Sequence, residues 1–192
     1  MAFVDQFIYA FVTLFVILDP FASIPAFLAL TRNVSDEERR RIAHRAVFLA
    51  AILAYVFLFT GHSILTMLGV SLSSFKVAGG IVLGLMGLET ILGISIHGKK
   101  KQDHDSIAVL IATPLLTGPG VITTTILLSQ QVGMTVTAVA AFVALALAFI
   151  ILHFAPILKK VLGEKVINVF SKIMGMMLLA LAVEFIRTGL AG

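Results

Sequence analysis

Long runs of apolar residues, separated by short charged segments, are the main pattern along this chain. A helix that crosses a membrane needs about 20 mostly apolar residues, and six stretches of the chain reach that length with few charges. These stretches are residues 3–30, 46–68, 75–96, 106–129, 135–158 and 169–190. The pattern predicts an all-α integral membrane protein with six transmembrane helices.

Two of these stretches, the first and the fourth, contain a closely spaced pair of prolines. The first is also too long for one upright helix and includes Asp19, Pro20 and Pro25. Proline has no amide hydrogen and disfavours helix in the residue before it. We therefore predict that the first and fourth helices are broken, around residues 19–25 and 113–120. The first stretch has no basic segment before it and is expected to be a retained span rather than a cleaved signal.

The two proline motifs belong to an internal repeat. DPFASIP at 19–25 aligns with TPLLTGP at 113–119 at an offset of 94 residues, and Gly80 aligns with Gly175 at an offset of 95. The halves, residues 1–98 and 104–192, then contain three spans each, and an odd number makes the second half enter the membrane from the opposite side. The sequence predicts two inverted three-helix repeats in one membrane domain, an arrangement typical of secondary transporters. The alternative is an old duplication kept only for packing.

Composition agrees with a membrane protein and limits its chemistry. Apolar residues make up 59% of the chain and charged residues 12%, against about 45–50% and about 25% in soluble domains. The chain has no cysteine, no His/Asp/Glu group with metal-ligand spacing, and no phosphate-binding loop or serine nucleophile motif. We expect no metal, no cofactor and no enzymatic activity.

Cationic residues predict the orientation in the membrane. Twelve of the 14 lysines and arginines lie in or beside the first, third and fifth loops. They are Arg32, Arg39, Arg40, Arg41, Arg45, Lys99, Lys100, Lys101, Lys159, Lys160, Lys165 and Lys172. By the positive-inside rule these loops are cytoplasmic and both termini are extracytoplasmic, in the cytoplasmic membrane. The charge therefore belongs to solvated loops rather than to a nucleic-acid surface. In the first loop, Ser35 and Glu38 have the spacing of a helix-capping box.

The two predicted breaks are the candidate binding site. Non-helical backbone inside a membrane is tolerated only where it is buried in protein or lines a cavity, and the exposed amides of a half-helix suit a carboxylate or a phosphate. The predicted substrate-binding residues are Asp19, Pro20, Ser23, Pro25, Thr113, Pro114, Thr117, Gly118, Pro119 and Gly120. Thr123 and Thr124 add further hydroxyl groups. Simple proline kinks that shape packing are the alternative.

Three carboxylates lie within the predicted spans: Asp19, Glu89 and Glu184. An ionised carboxylate at the centre of a bilayer costs ~2.5–3.5 kcal/mol on insertion scales, and burial favours the protonated form. We therefore predict that these three residues take part in proton coupling or gating. Arg187 follows Glu184 by three residues, so an ordinary ion pair is the alternative there. The Gly80-xxx-Gly84 spacing suits a homo-oligomer or packing within one bundle equally well.

Several of these motifs resemble the MarC family of bacterial and archaeal membrane proteins. They are DPFASIP at 19–25 with the arginine-rich loop after it, TPLLTGPG at 113–120, and LGEK at 162–165. The resemblance covers essentially the whole chain. It implies six spans and membership of the lysine-exporter-like superfamily, in which some MarC proteins are described as transporters of small neutral amino acids such as glycine and alanine.

Together with the repeat, the resemblance favours a secondary transporter of small neutral amino acids that works by alternating access. The expected partners are the amino acid, membrane lipids, and a coupling proton or sodium ion. One alternative is a protein that handles a phospholipid headgroup, although such a site would favour several cations within the spans. The other alternative is a membrane scaffold without transport activity.

Overall fold

Every regular element in the described part of the chain is an α-helix. The structure is a computed structural model that describes residues 3–31, 34–93 and 119–191. Its helices are α1 (Phe3–Leu18), α2 (Pro20–Leu30), α3 (Asp36–Met67), α4 (Leu72–Leu92), α5 (Pro119–Gln131), α6 (Met134–His153) and α7 (Ala155–Leu190). The prediction of an all-α, multi-pass membrane protein is confirmed.

Five of the six predicted spans correspond to helices that are long and apolar enough to cross a membrane. They are α1 together with α2, then α3, α4, α6 and α7. The fourth predicted span, residues 106–129, lies mostly outside the described residues, and only its end is seen, as the 13-residue helix α5.

The first span is broken at a single residue. Asp19 has φ 39° and ψ 60°, in the left-handed region, and α2 begins at the next residue, Pro20. Proline suits the first position of a helix, where no amide hydrogen is needed. The prediction that residues 19–25 unwind together was too broad, because Pro25 lies inside α2. There proline removes only the hydrogen bond that its own amide would have donated, and the helix continues to Leu30.

Helix α3 begins ten residues before the span predicted at 46, at the helix start that the Ser35 capping box predicted, so part of the arginine-rich loop is helical. Its arginines from Arg39 onwards lie on the first turns of the helix. The Ser35 hydroxyl accepts a hydrogen bond from the Glu38 amide at 3.2 Å, which confirms the predicted helix start. Ion pairs stabilise this polar start of the helix: Arg39 pairs with Asp36 at 2.6 Å, and Arg41 pairs with Glu37 at 2.7 Å. The helix therefore begins before the apolar stretch does.

The fifth span ends earlier than predicted. Helix α6 stops at His153, and α7 starts at Ala155 with Pro156 in its first turn. Gly163 interrupts α7 with φ 77° and ψ 160°, a conformation that glycine adopts without steric cost. The basic segment between the last two spans is therefore helical on both sides of Gly163.

Helix α5 is the centre of the described bundle. Its residues 120–128 are buried, apart from the half-buried Ile122. Helices α1, α3, α4 and α6 all pack against it. A helix that is buried on every side can carry no charge cheaply, and α5 has neither an acidic nor a basic residue.

Helices α4 and α7 pack antiparallel through a seam of glycines. A Cβ atom added to Gly80 or to Gly175 would collide with the facing helix, because a backbone carbonyl oxygen lies 2.8 Å away in the first case and 3.1 Å away in the second. Gly80 faces Ala182 and Ile186, and Gly175 faces Gly87 and Ile91. The two sets of contacts are equivalent at one offset. Gly175 lies 95 positions after Gly80, Ala182 lies 95 positions after Gly87, and Ile186 lies 95 positions after Ile91.

Candidate functional site

The break at Asp19 places a carboxyl group inside the protein. Asp19 is only 5% exposed, and its Oδ1 accepts a hydrogen bond from the Ala22 amide at 3.2 Å. This contact caps the N-terminus of α2, as Asp commonly does. The second oxygen, Oδ2, is buried and has no hydrogen-bond partner among the residues that the structure describes.

The backbone around Asp19 stays almost fully hydrogen-bonded. The Asp19 amide donates to the Phe15 carbonyl at 3.2 Å, and the Asp19 carbonyl accepts from the Ser23 amide at 3.3 Å. The Ser23 hydroxyl also donates to this carbonyl, at 3.2 Å. The predicted hydroxyl therefore satisfies the backbone of the break. The group that the break leaves available inside the protein is therefore the Asp19 carboxyl, not the backbone.

The start of α5 lies beside this break. A Cβ atom on Gly120 would lie 3.4 Å from Ile17 Cγ2 and 2.5 Å from Leu83 Cδ2, so the α5 backbone approaches the end of α1 closely. Ile17 precedes Asp19 by two residues. The described end of the second proline motif is therefore next to the first motif, and a Cβ atom at Gly120 would collide with Leu83 of α4.

The predicted binding residues are only partly visible. Asp19, Pro20, Ser23 and Gly120 are buried, whereas Pro25 is exposed. Pro119 begins α5. Thr113, Pro114, Thr117 and Gly118 lie outside the described residues, so their part in the site stays a prediction.

Three consecutive threonines of α5, Thr123, Thr124 and Thr125, are all buried. The Thr125 hydroxyl donates to the Val121 carbonyl at 2.7 Å, one turn back in the same helix. The Thr124 hydroxyl is buried with no hydrogen-bond partner within the described ranges. Because Thr124 follows Gly120 by four residues, it shares the helix face that Gly120 turns towards Ile17. From the sequence, Thr124 was named only as an additional hydroxyl group and Thr125 was not named. The signal that could have identified both is the run of three threonines within an apolar stretch.

The other two predicted carboxylates lie elsewhere. Glu184 Oε2 forms an ion pair with Arg187 at 2.9 Å, and both side chains are substantially exposed, so the alternative of an ordinary ion pair is present. Glu89 is half-buried near the end of α4. Within the described residues no three His, Cys, Asp or Glu side chains are placed to hold a metal ion. Roles in coupling for Glu89 and Glu184 stay predictions.

Comparison with protein families assigns the chain. The model described as "MarC family integral membrane protein" matches residues 4–192. The chain belongs to the MarC family. The resemblance drawn from the proline motifs is therefore confirmed, and with it a multi-pass membrane protein of a family that is not known for enzymes.

Curated relatives of this MarC chain span nearly its full length. A UPF0056 membrane protein of Archaeoglobus fulgidus is 38% identical over 201 residues, covering 98% of this chain and 94% of the relative. A second, from Aquifex aeolicus, is 36% identical and covers 96% and 92%. The UPF0056 membrane protein YhcE of Escherichia coli is 34% identical and covers 95% and 90%. These names state a membrane protein and no substrate. No solved structure matches the chain.

Proposed function

We propose that this MarC protein is a secondary transporter of small neutral amino acids, with its substrate site at the Asp19 break. The observation that carries the proposal is a buried carboxylate oxygen, inside a membrane span, that has no hydrogen-bond partner among the described residues. A buried polar group left unsatisfied costs about 1–3 kcal/mol, and more if it is charged. Ionisable groups that are kept within spans at such a cost mark substrate and ion pathways.

The chemistry around the break suits a zwitterion. Asp19 supplies one acceptor for an ammonium group, and the first-turn amides of α5 suit a carboxylate. The buried Thr124 hydroxyl, which has no partner in the part of the chain that the structure describes, adds a neutral hydrogen-bonding group on α5. The close packing at Gly120 leaves little room beside the backbone, which favours a substrate with a small side chain.

Charge at the break argues against a phospholipid headgroup there. Helices α1, α2 and α5 contain no lysine or arginine, whereas Asp19 would repel a phosphate. A site with one acid and no cation among these helices favours a ligand that brings its own positive charge. A scaffold without transport would leave the unpaired Asp19 oxygen without a role.

We further propose that residues 1–98 and 104–192 are inverted repeats. A two-fold axis in the membrane plane exchanges equivalent residues, so each contact across it must occur twice, in reciprocal form. The contact of Gly80 with Ala182 and Ile186 is repeated in reciprocal form by the contact of Gly175 with Gly87 and Ile91. The equivalent residues are 95 positions apart, which is the offset of this part of the sequence repeat. Exchange between two arrangements of the halves would open the Asp19 site to each side in turn.

Uptake into proteoliposomes tests the proposed function. The purified protein is reconstituted, and labelled glycine or alanine is supplied with a proton gradient, a sodium gradient or no gradient, in both directions. We expect saturable, gradient-driven transport that unlabelled alanine inhibits and lysine does not. No transport above protein-free liposomes under any of these gradients, from protein that is shown to be folded, would refute the proposal.

A further inference from the structure

A basic pocket lies at the start of α3, apart from the Asp19 break. The cavity has a volume of about 350 Å³ and is lined by Glu37, Arg40, Arg41, His44, Arg45 and His153. Three arginines and one carboxylate line the pocket, so its lining is predominantly basic. Arg41 and Glu37 pair at 2.7 Å. The pocket is suited to an anion with one or two charges.

An apolar groove of about 230 Å³ continues from this pocket between α3 and α6. His44 lines both cavities, and its ring contacts Phe149, with 5.1 Å between the ring centroids. The groove is lined by Phe48, Ala51 and Tyr55 on α3 and by Phe142, Ala146 and Phe149 on α6. At the far end, the Tyr55 hydroxyl donates to the Ala138 carbonyl at 2.8 Å, which ties the two helices together.

The dimensions and exposure of the groove match a lipid chain. From His44 to Tyr55 the lining residues follow one face of α3, a length of roughly 16 Å at about 1.5 Å per residue. One leaflet of a bilayer has about 15 Å of hydrocarbon. Phe48 and Phe142 are 62% and 67% exposed, so the groove opens sideways from two membrane-spanning helices into the lipid phase.

We propose that this pocket and groove bind one anionic phospholipid, with its phosphate among Arg40, Arg45 and His44 and an acyl chain along the groove. A soluble anion would use only the basic pocket, whereas a neutral lipid would use only the groove. The continuity of the two cavities through His44 favours a ligand that has both parts. Basic pockets between transmembrane helices recognise lipid headgroups in this way. The proposal is independent of amino-acid transport.

Lipid titration of the purified protein, read by native mass spectrometry, tests the assignment. The probes are dioleoyl phosphatidylglycerol, dioleoyl phosphatidylcholine with the same chains, and inorganic phosphate. We expect phosphatidylglycerol to bind at least tenfold more tightly than phosphatidylcholine. The double variant Arg40→Gln/Arg45→Gln should lower phosphatidylglycerol affinity about 25-fold, at about fivefold for each cation near an anionic headgroup. Lys160→Gln/Lys165→Gln removes the same charge away from the pocket and should change affinity less than twofold.

A second variant tests the groove without altering charge. Ala146→Phe adds bulk where the acyl chain is proposed to lie, and should weaken phosphatidylglycerol about tenfold or more while leaving phosphate binding unchanged. Equal affinities for the two lipids would overturn the proposal, as would equal effects of the arginine and lysine double variants. Phosphate that binds as tightly as phosphatidylglycerol, or an Ala146→Phe variant with wild-type lipid affinity, would show a site for a soluble anion instead.

Discussion

Replacing Asp19 with Asn removes the charge at the helix break but keeps the shape of the side chain. The Asn oxygen can accept the 3.2 Å hydrogen bond from the Ala22 amide, and Asn caps helices about as well as Asp does. Asn also tolerates the left-handed φ of 39°. We therefore expect the free energy of unfolding to change by less than about 1 kcal/mol, whereas amino-acid transport or its pH dependence is lost.

Two further substitutions at the same position separate the cap from the charge. Asp19→Ala loses the cap, at about 1 kcal/mol, and puts in the left-handed region a residue that, unlike Asp or Asn, has no side-chain hydrogen bond to support that conformation. It should destabilise the protein by about 1–2 kcal/mol. Asp19→Gly also loses the carboxylate, but glycine adopts this φ freely and is only a few tenths of a kcal/mol worse as a cap.

Thermal unfolding in detergent and uptake into proteoliposomes, measured on all three variants, decide between the roles. If the carboxylate binds substrate or carries a proton, Asp19→Asn and Asp19→Gly are both stable and inactive. If it is only a cap, Asp19→Asn transports at the wild-type rate with the same pH response. That second outcome would refute the functional role of the unpaired oxygen, and Asp19→Ala would then be the only variant with a clear defect.

Three other predictions address packing, the central helix and topology. Gly80→Ala places a methyl group 2.8 Å from a backbone carbonyl oxygen of α7 and should lower the free energy of unfolding by about 1–3 kcal/mol. The control is Gly84→Ala, whose methyl group would lie 3.6 Å from the nearest atom and should leave the melting temperature unchanged. Thr124→Val removes a buried hydroxyl that has no partner among the described residues, so the free energy of unfolding should stay equal or rise. The same variant should reduce amino-acid uptake about two- to tenfold. The control, Thr125→Val, should leave uptake unchanged. A reporter fused after Gly192 should be active only on the extracytoplasmic side, and cytoplasmic activity would contradict the predicted orientation.

Properties that depend on local sequence were predicted well. Hydropathy alone identified the five spans that the described helices match, because about 20 consecutive apolar residues are long enough to cross a membrane wherever they occur in a chain. The capped helix start at Ser35 and the break beside Pro20 also follow from neighbouring residues. The extent of the break was predicted too broadly, as residues 19–25 together, because only helix packing decides whether an internal proline such as Pro25 is accommodated.

Properties that join distant segments required the tertiary structure. Nothing in the order of residues indicates that α5 is buried on every side, or that its threonines differ in whether their hydroxyls find a partner. The basic pocket combines arginines of α3 with His153, more than 100 residues later, and no local pattern connects them. Hydropathy and proline determine structure within a few residues of where they occur. Cavities and buried polar atoms without a hydrogen-bond partner arise only when the surfaces of separate helices pack together. The proposed inverted repeat depends on both kinds of information. The sequence indicated its offset, and the reciprocal glycine contacts between α4 and α7 support its geometry.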